Sequence, residues 1–268
     1  MDEAIRHVVM GLAYDGAAYA GFQRQPGGNT VQQVVEQALQ AITGQPVRIA
    51  GAGRTDAGVH AWGQVIGARI PRGVPTARLP LALAAHLPPD VRVTWAQEVG
   101  ADFHPRFSAI SKLYRYLIWR ETVASPFWRG QSWHYAGPLD LAQMRKAAAL
   151  FVGRRDFSAV AGAGRPVTDA VRTVLRCEVE AVGPWLGIVV EADGFLYRMV
   201  RAMAGTLWEV GRGAMDPDAL GAILAGGRRG EAGPSLPPHG LCLLRVRYPA
   251  TFELPAPVPP VGPPLLWD

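Results

Sequence analysis

The chain has 268 residues, 49% of them hydrophobic and 18% charged, enough apolar material for one large domain or two ordinary ones. No apolar run approaches the roughly 20 residues that a bilayer span needs. Acids in MDEAIRHVVM stand where a secretory signal carries basic residues, so a cytoplasmic protein with no membrane partner is expected. The net charge is +5, and only Lys112 and Lys146 of the 27 basic residues are lysines. The planar guanidinium suits phosphates, so the balance favours a polyanionic partner, although a GC-rich genome also enriches arginine.

Taken in chain order, HVVMGLAY (7–14) reads as a strand. From Thr30, apolar residues fall at Val31, Val34, Val35, Ala38, Leu39 and Ile42, the spacing of an amphipathic helix. Thr30 and Gln33 resemble a capping box, and Gly44 stands where a helix stops. Strands follow at 47–52, 63–70 and 91–99, with a short helix over 78–86 between the last two. SKLYRYLIWR (111–120) opens a second series, in which Asp140 caps a helix that Gly153 ends. VRTVLRCEVEAV (171–182) and WLGIVVEAD (185–193) form a hairpin about Gly183-Pro184. A long helix over roughly 196–210, a shorter one from Pro217 and a strand at 240–248 complete the series.

Each series reads β-α-β-β-α-β, the ferredoxin-like unit, with one extra helix in the second. The expected fold is therefore α+β. Two ferredoxin-like halves, 1–107 and 108–248, set antiparallel sheets side by side about a central cleft, and a Pro-rich tail occupies 249–268. Cys177 and Cys242 sit in apolar stretches and read as reduced thiols. The six histidines are scattered, with no C-x-x-C or H-x-x-x-H, so no metal site is expected.

The chemistry concentrates in GAGRTDAGVHA (51–61). Its glycines suggest a phosphate loop, but Val59 and His60 replace the Lys and Ser/Thr of a P-loop. Asp56 stands where a dinucleotide fingerprint needs its third glycine, and a strand follows instead of a helix. No nucleotide cofactor is expected. The glycines instead allow a close-packed turn that presents Arg54 and Asp56. A nearby arginine favours an ionised carboxylate, ready as nucleophile or base. The local chemistry is equally that of an Asp forming an Asx-turn with its own backbone.

The stretch GRTDAGVH resembles the signature of the tRNA pseudouridine synthase A family. So do YDGAAYAGFQRQ (14–25), DFHPRFSAISKLYRYLI (102–118), GFLYRMVRAMAGTLWEVG (194–211) and the GLCL ending with its Pro-rich tail. The resemblance implies an isomerase that converts uridine to pseudouridine in the tRNA anticodon arm. It implies Asp56 as the essential carboxylate, no cofactor, a homodimer, and an RNA-binding cleft between the halves. The glycosidic bond of uridine must break and re-form through C5, which requires the base to leave its stack.

The same resemblance assigns Tyr114 as the aromatic face for the extruded base, and Arg201 as a partner of Asp56 across the cleft. Arg54 matches an arginine of the signature, expected on the RNA or beside the displaced base, with anchoring of the loop through backbone carbonyls as its alternative. By their chemistry Arg24, Arg106 and the pairs Arg154–Arg155 and Arg228–Arg229 are candidates for phosphate contacts, each of which taken singly reads more readily as a solvated surface charge. His60 and Gln64 are expected to brace the loop. Tyr116, on the same strand face as Tyr114, is expected to pack in the sheet. Ala202 departs from the family's common asparagine, which removes a hydrogen-bonding side chain there. The alternative is a non-catalytic RNA-binding protein built from ferredoxin-like modules. The set Arg54, Asp56, Tyr114 and Arg201 speaks against it, because a carboxylate weakens a phosphate groove.

Overall fold

The structure is a computed structural model that describes residues 5–162, 169–227 and 231–255. The elements in chain order are β1 (Ile5–Tyr14), α1 (Val31–Thr43), β2 (Ile49–Gly51), β3 (His60–Pro71), α2 (Leu79–Ala84) and β4 (Val91–Glu98). Then come β5 (Ser111–Trp119), β6 (Trp133–His134), α3 (Leu141–Ala149), β7 (Gly153–Asp156), β8 (Val171–Val182), β9 (Trp185–Ala192), α4 (Met199–Gly211), α5 (Pro217–Gly226) and β10 (Leu241–Arg247). This is an α+β fold. It divides into two compact units, one running through Ile110 and rejoined by the segment from Leu243, the other Ser111–Cys242.

In the first unit the strands run β4-β1-β3 with β2 on the outer side of β3, every pair antiparallel. That order is the split βαβ arrangement. The register sets Gly11 opposite both Val65 and Trp95, and a Cβ on Gly11 would lie 2.5 Å from the indole Cε2 of Trp95. The glycine thus lets the indole lie on the sheet. Helix α1 spans the residues that its periodicity predicts and buries Val31, Val35, Ala38 and Leu39. Each fully buried aliphatic side chain contributes about 1.5–3 kcal/mol. The Oγ1 of Thr30 accepts the Gln33 N–H at 3.3 Å, and Gly44, at φ 73°, returns its N–H to the Gln40 carbonyl.

In the second unit the order is β5-β9-β8-β7, antiparallel, with β6 parallel to β5. Neither β6 nor β7 was expected. β6 is two residues long, and β7 (GRRD) has no apolar alternation and pairs antiparallel with the first residues of β8. Gly153 does not cap α3, which ends at Ala149; at φ 112° it opens β7 instead.

Helix α4 starts at Met199 and not near 196, because Arg198 takes a left-handed conformation at φ 55° and breaks the helical path. The helix is also buried nearly all round. The segment before Leu236 lies along it: Gly233 donates to the Thr206 hydroxyl at 3.0 Å and Leu236 to the Arg201 carbonyl at 3.2 Å. A Cβ on Gly205 would meet the Pro234 carbonyl carbon at 2.8 Å, so the glycine makes this approach possible. Arg198 is therefore the residue before the helix and not part of its surface.

Candidate active site

In the first unit, β2 and β3 present residues 52–59 as a loop fixed mainly through its backbone. Phe22 donates to the Thr55 carbonyl at 3.1 Å, Gly58 to the Tyr19 carbonyl at 3.3 Å, and Val59 to the Asp56 carbonyl at 3.1 Å. Buried Thr55 places its Oγ1 2.7 Å from the Tyr14 phenol oxygen. Gln64, fully buried, donates from Nε2 to the Gly53 carbonyl at 2.9 Å. Asp56 is left half-buried at the turn and Arg54 exposed, on either side of inward-facing Thr55.

Two glycines of YDGAAYAGF allow this packing. A Cβ on Gly16 would lie 2.5 Å from the Val59 carbonyl carbon, and one on Gly21 would lie 2.9 Å from the Thr55 carbonyl oxygen. Gly21 also sits at φ 109°, a conformation that glycine tolerates best. The segment 14–22 is therefore a strap laid directly against the loop.

The strap is tied down by His60, expected as a brace, and by Asp15, Tyr19 and Asp90, whose roles the sequence did not single out. Asp15 accepts the Ala17 N–H at 2.9 Å and lies 3.0 Å from His60 Nδ1, and hydrogen bonding with His60 holds its carboxyl below the ordinary 3.8. The Gly16 N–H also reaches His60 Nδ1, at 3.1 Å. A neutral ring accepts from Gly16 and a protonated ring donates to Asp15, so either state holds the strap. Tyr19 donates to Asp90 Oδ1 at 2.7 Å, and burial followed by that carboxylate pushes its phenol well above the usual range. The motif YDGAAYAGF marked this segment; nothing in its composition indicated Asp90.

Arg54 is exposed at the tip of the loop, and its side chain has no hydrogen-bond acceptor among the described residues. Arg24, about half exposed, is held at 3.3 Å by buried Glu36, which also takes Arg48 at 2.8 Å and the Ile49 N–H at 3.2 Å. Glu36 gave no signal, being one polar residue in an amphipathic helix. Arg106 is exposed beside Phe107, its Cζ 5.6 Å from the ring centroid.

In the second unit Tyr114 is buried on β5 and meets Phe195 edge-on, with centroids 5.1 Å apart. Tyr116 packs fully inside, as expected, and donates to the Pro237 carbonyl at 2.8 Å; burial raises its phenol, partly offset by the Arg201 cation. Arg201 is not a solvated helix-face residue. It is 8% exposed and donates from Nε to the Leu236 carbonyl at 2.7 Å. Ala202 is buried, and its carbonyl accepts from Thr206 at 2.8 Å. Arg155 spends a donor on the Val152 carbonyl, and Arg228 and Arg229 lie outside the described residues. Among the described residues no cluster of three metal-ligating side chains occurs, and no helix is long and apolar enough to cross a membrane.

A basic α+β chain with a braced Asp-bearing loop is the type of protein that works on RNA bases. A family model described as tRNA pseudouridine synthase matches residues 12–108 and 147–249. The chain belongs to that family. Asp56, Arg54, Arg24, Arg106 and Arg201 lie inside the matched stretches, and Tyr114 lies between them. Relatives called tRNA pseudouridine synthase A include that of Moorella thermoacetica, 48% identical across 88% of this chain and 97% of its own length. That of Syntrophotalea carbinolica is 46% identical over 88% and 94% of the two chains, and that of Geotalea daltonii 43% identical over 91% and 100%.

Proposed function

We infer that the chain isomerises uridine to pseudouridine in tRNA, with targets in the anticodon stem-loop. The N1–C1′ bond breaks, the detached base turns, and C5 bonds to C1′. The C5 proton passes to solvent and N1 gains a proton, so the reaction has no net redox change. Asp56 acts as nucleophile or base. Arg201 supplies positive charge for the carboxylate and Tyr114 an aromatic face for the extruded base. Arg54 reaches the RNA backbone or the displaced base, and Arg24 and Arg106 contribute phosphate contacts. The observation that carries this reading is the loop itself: Asp56 sits half-buried on a backbone fixed from Gly53 to Val59 by the strap and by Gln64. A carboxylate held that rigidly serves chemistry better than phosphate binding.

The reading includes a homodimer and a cytoplasmic location, where tRNA is found. To test it, unmodified tRNA labelled with tritium at uracil C5 is incubated with the protein and no added cofactor. Tritium release, with pseudouridine appearing in the digested RNA, is expected; RNA that binds but releases none would leave only the RNA-binding alternative.

A further inference from the structure

The segment 103–108 in the first unit plays no part in holding the catalytic loop, yet it is closely organised. His104 Nδ1 accepts the backbone N–H of Arg106 at 3.1 Å and of Phe107 at 3.3 Å. The Ser108 hydroxyl accepts the His104 N–H at 3.0 Å, and the Ser108 N–H returns to the His104 carbonyl at 2.9 Å. Tyr248 donates to the Pro105 carbonyl at 2.6 Å, and Pro105 packs over Gly67, where a Cβ would meet its ring at 3.2 Å. This rigid turn holds out a phenyl ring that is 77% exposed. The ring of His104 lies beside it, centroids 4.4 Å apart and planes 33° from parallel, with the Arg106 guanidinium near its face.

Tyr248, which holds the turn, also lines a cavity of about 420 Å³, together with Trp62, Trp95, Arg245 and Arg247 among others. Arg245 and Arg247 place two guanidinium-bearing side chains along its lining, a basic flank suited to phosphate.

We propose that Phe107, backed by His104 and flanked by Arg106, is a stacking platform for one unpaired base of the RNA substrate other than the reacting uridine. The strand's phosphates continue toward Arg245. The proposal rests on the tRNA reading above. A protein interface needs roughly 800 Å² per partner around an apolar centre. Within 101–110 the exposed large apolar side chains are Phe107 and Ile110, and Asp102 and Arg106, on the N-terminal side of Phe107, are exposed as well. One rigid ring beside a cation fits a base better, since stacking rewards a flat face of any sequence.

The test places 2-aminopurine in turn at each unpaired position of the anticodon loop and follows its fluorescence on titration with protein. Wild type quenches at one position. Phe107→Leu loses that quench and weakens binding roughly five- to hundredfold, and Phe107→Trp keeps both. Arg106→Gln lowers the salt slope of binding by about one unit. A Phe107→Leu variant with native quench and affinity overturns the proposal. So does one whose oligomeric state, followed by sedimentation, changes along with its binding, because that marks a protein interface. Absence of tritium release by the wild type would overturn the isomerase reading instead, leaving the quench to be judged separately.

Discussion

Replacing Gly16 by alanine sets one methyl group against the loop that carries Asp56. Gly16 is not in the left-handed region, so the effect is steric and not conformational. The added Cβ would lie 2.5 Å from the Val59 carbonyl carbon, whereas ordinary carbon contacts lie near about 3.5 Å. Strap and loop must therefore separate by about 1 Å. Overpacking of this kind costs about 1–3 kcal/mol, or about 2–4 °C in Tm per kcal/mol for a chain of this size. A reacting group displaced by about 1 Å loses about 100-fold in rate, about 2.7 kcal/mol of barrier. Single-turnover tritium release from labelled tRNA reads the rate, and calorimetry reads Tm. We expect kcat to fall about 100-fold while tRNA affinity changes little. The control is Gly73→Ala, where a Cβ meets nothing within 4 Å, and it keeps native turnover. A Gly16→Ala protein with native kcat and native Tm would refute the claim that the strap positions Asp56.

Other outcomes follow from the same geometry. Glu36→Gln frees Arg24 and Arg48; because both guanidiniums are more than half exposed and rehydrate, urea unfolding should show a loss of only about 1 kcal/mol. Hydrogen bonding with His60 depresses the Asp15 carboxyl, so its stabilising contribution is complete above the ordinary 3.8 and is lost as pH falls below that value. The acid limb of Tm against pH should therefore be shallower in Asp15→Asn; an unchanged limb would count against the pairing. Burial pushes the Cys177 thiol up to about 12, so iodoacetamide at neutral pH should modify it only in denaturant, and rapid native labelling detected by mass spectrometry would contradict its placement. Tyr114→Ala should lose turnover while still binding tRNA, and wild-type turnover would remove the stacking role.

Features that depend on local chemistry were legible in the sequence. Helix α1 matches its expected span because its apolar period, the Thr30 cap and the Gly44 stop all lie within 15 residues of one another. The β8–β9 hairpin was readable for the same reason, with Gly183 at φ 56° in its turn. What depended on partners distant in sequence was not. β7 exists because β8 offers it an edge, and α4 is buried all round because residues near 233–236 return to cover it. The left-handed Arg198 has no signature in a non-glycine residue. At the site, the glycines of GAGRTDAG pointed to a close-packed turn, but not to how Arg54 and Asp56 would be oriented by it. Thr55 faces inward between them and turns Arg54 to solvent. Gly16 and Gly21 could be placed only within a motif, because what requires them is the backbone of residues 55–59.

The central claim is that the loop exists to hold one carboxylate in reacting position. The most direct measurement compares tritium release from C5-labelled tRNA by the native protein and by Asp56→Asn, at equal tRNA occupancy. The substitution keeps the size and the backbone and removes the charge. The native protein should release tritium and Asp56→Asn should release none above the uncatalysed background, while still binding tRNA. Release by Asp56→Asn at the native rate would contradict the account.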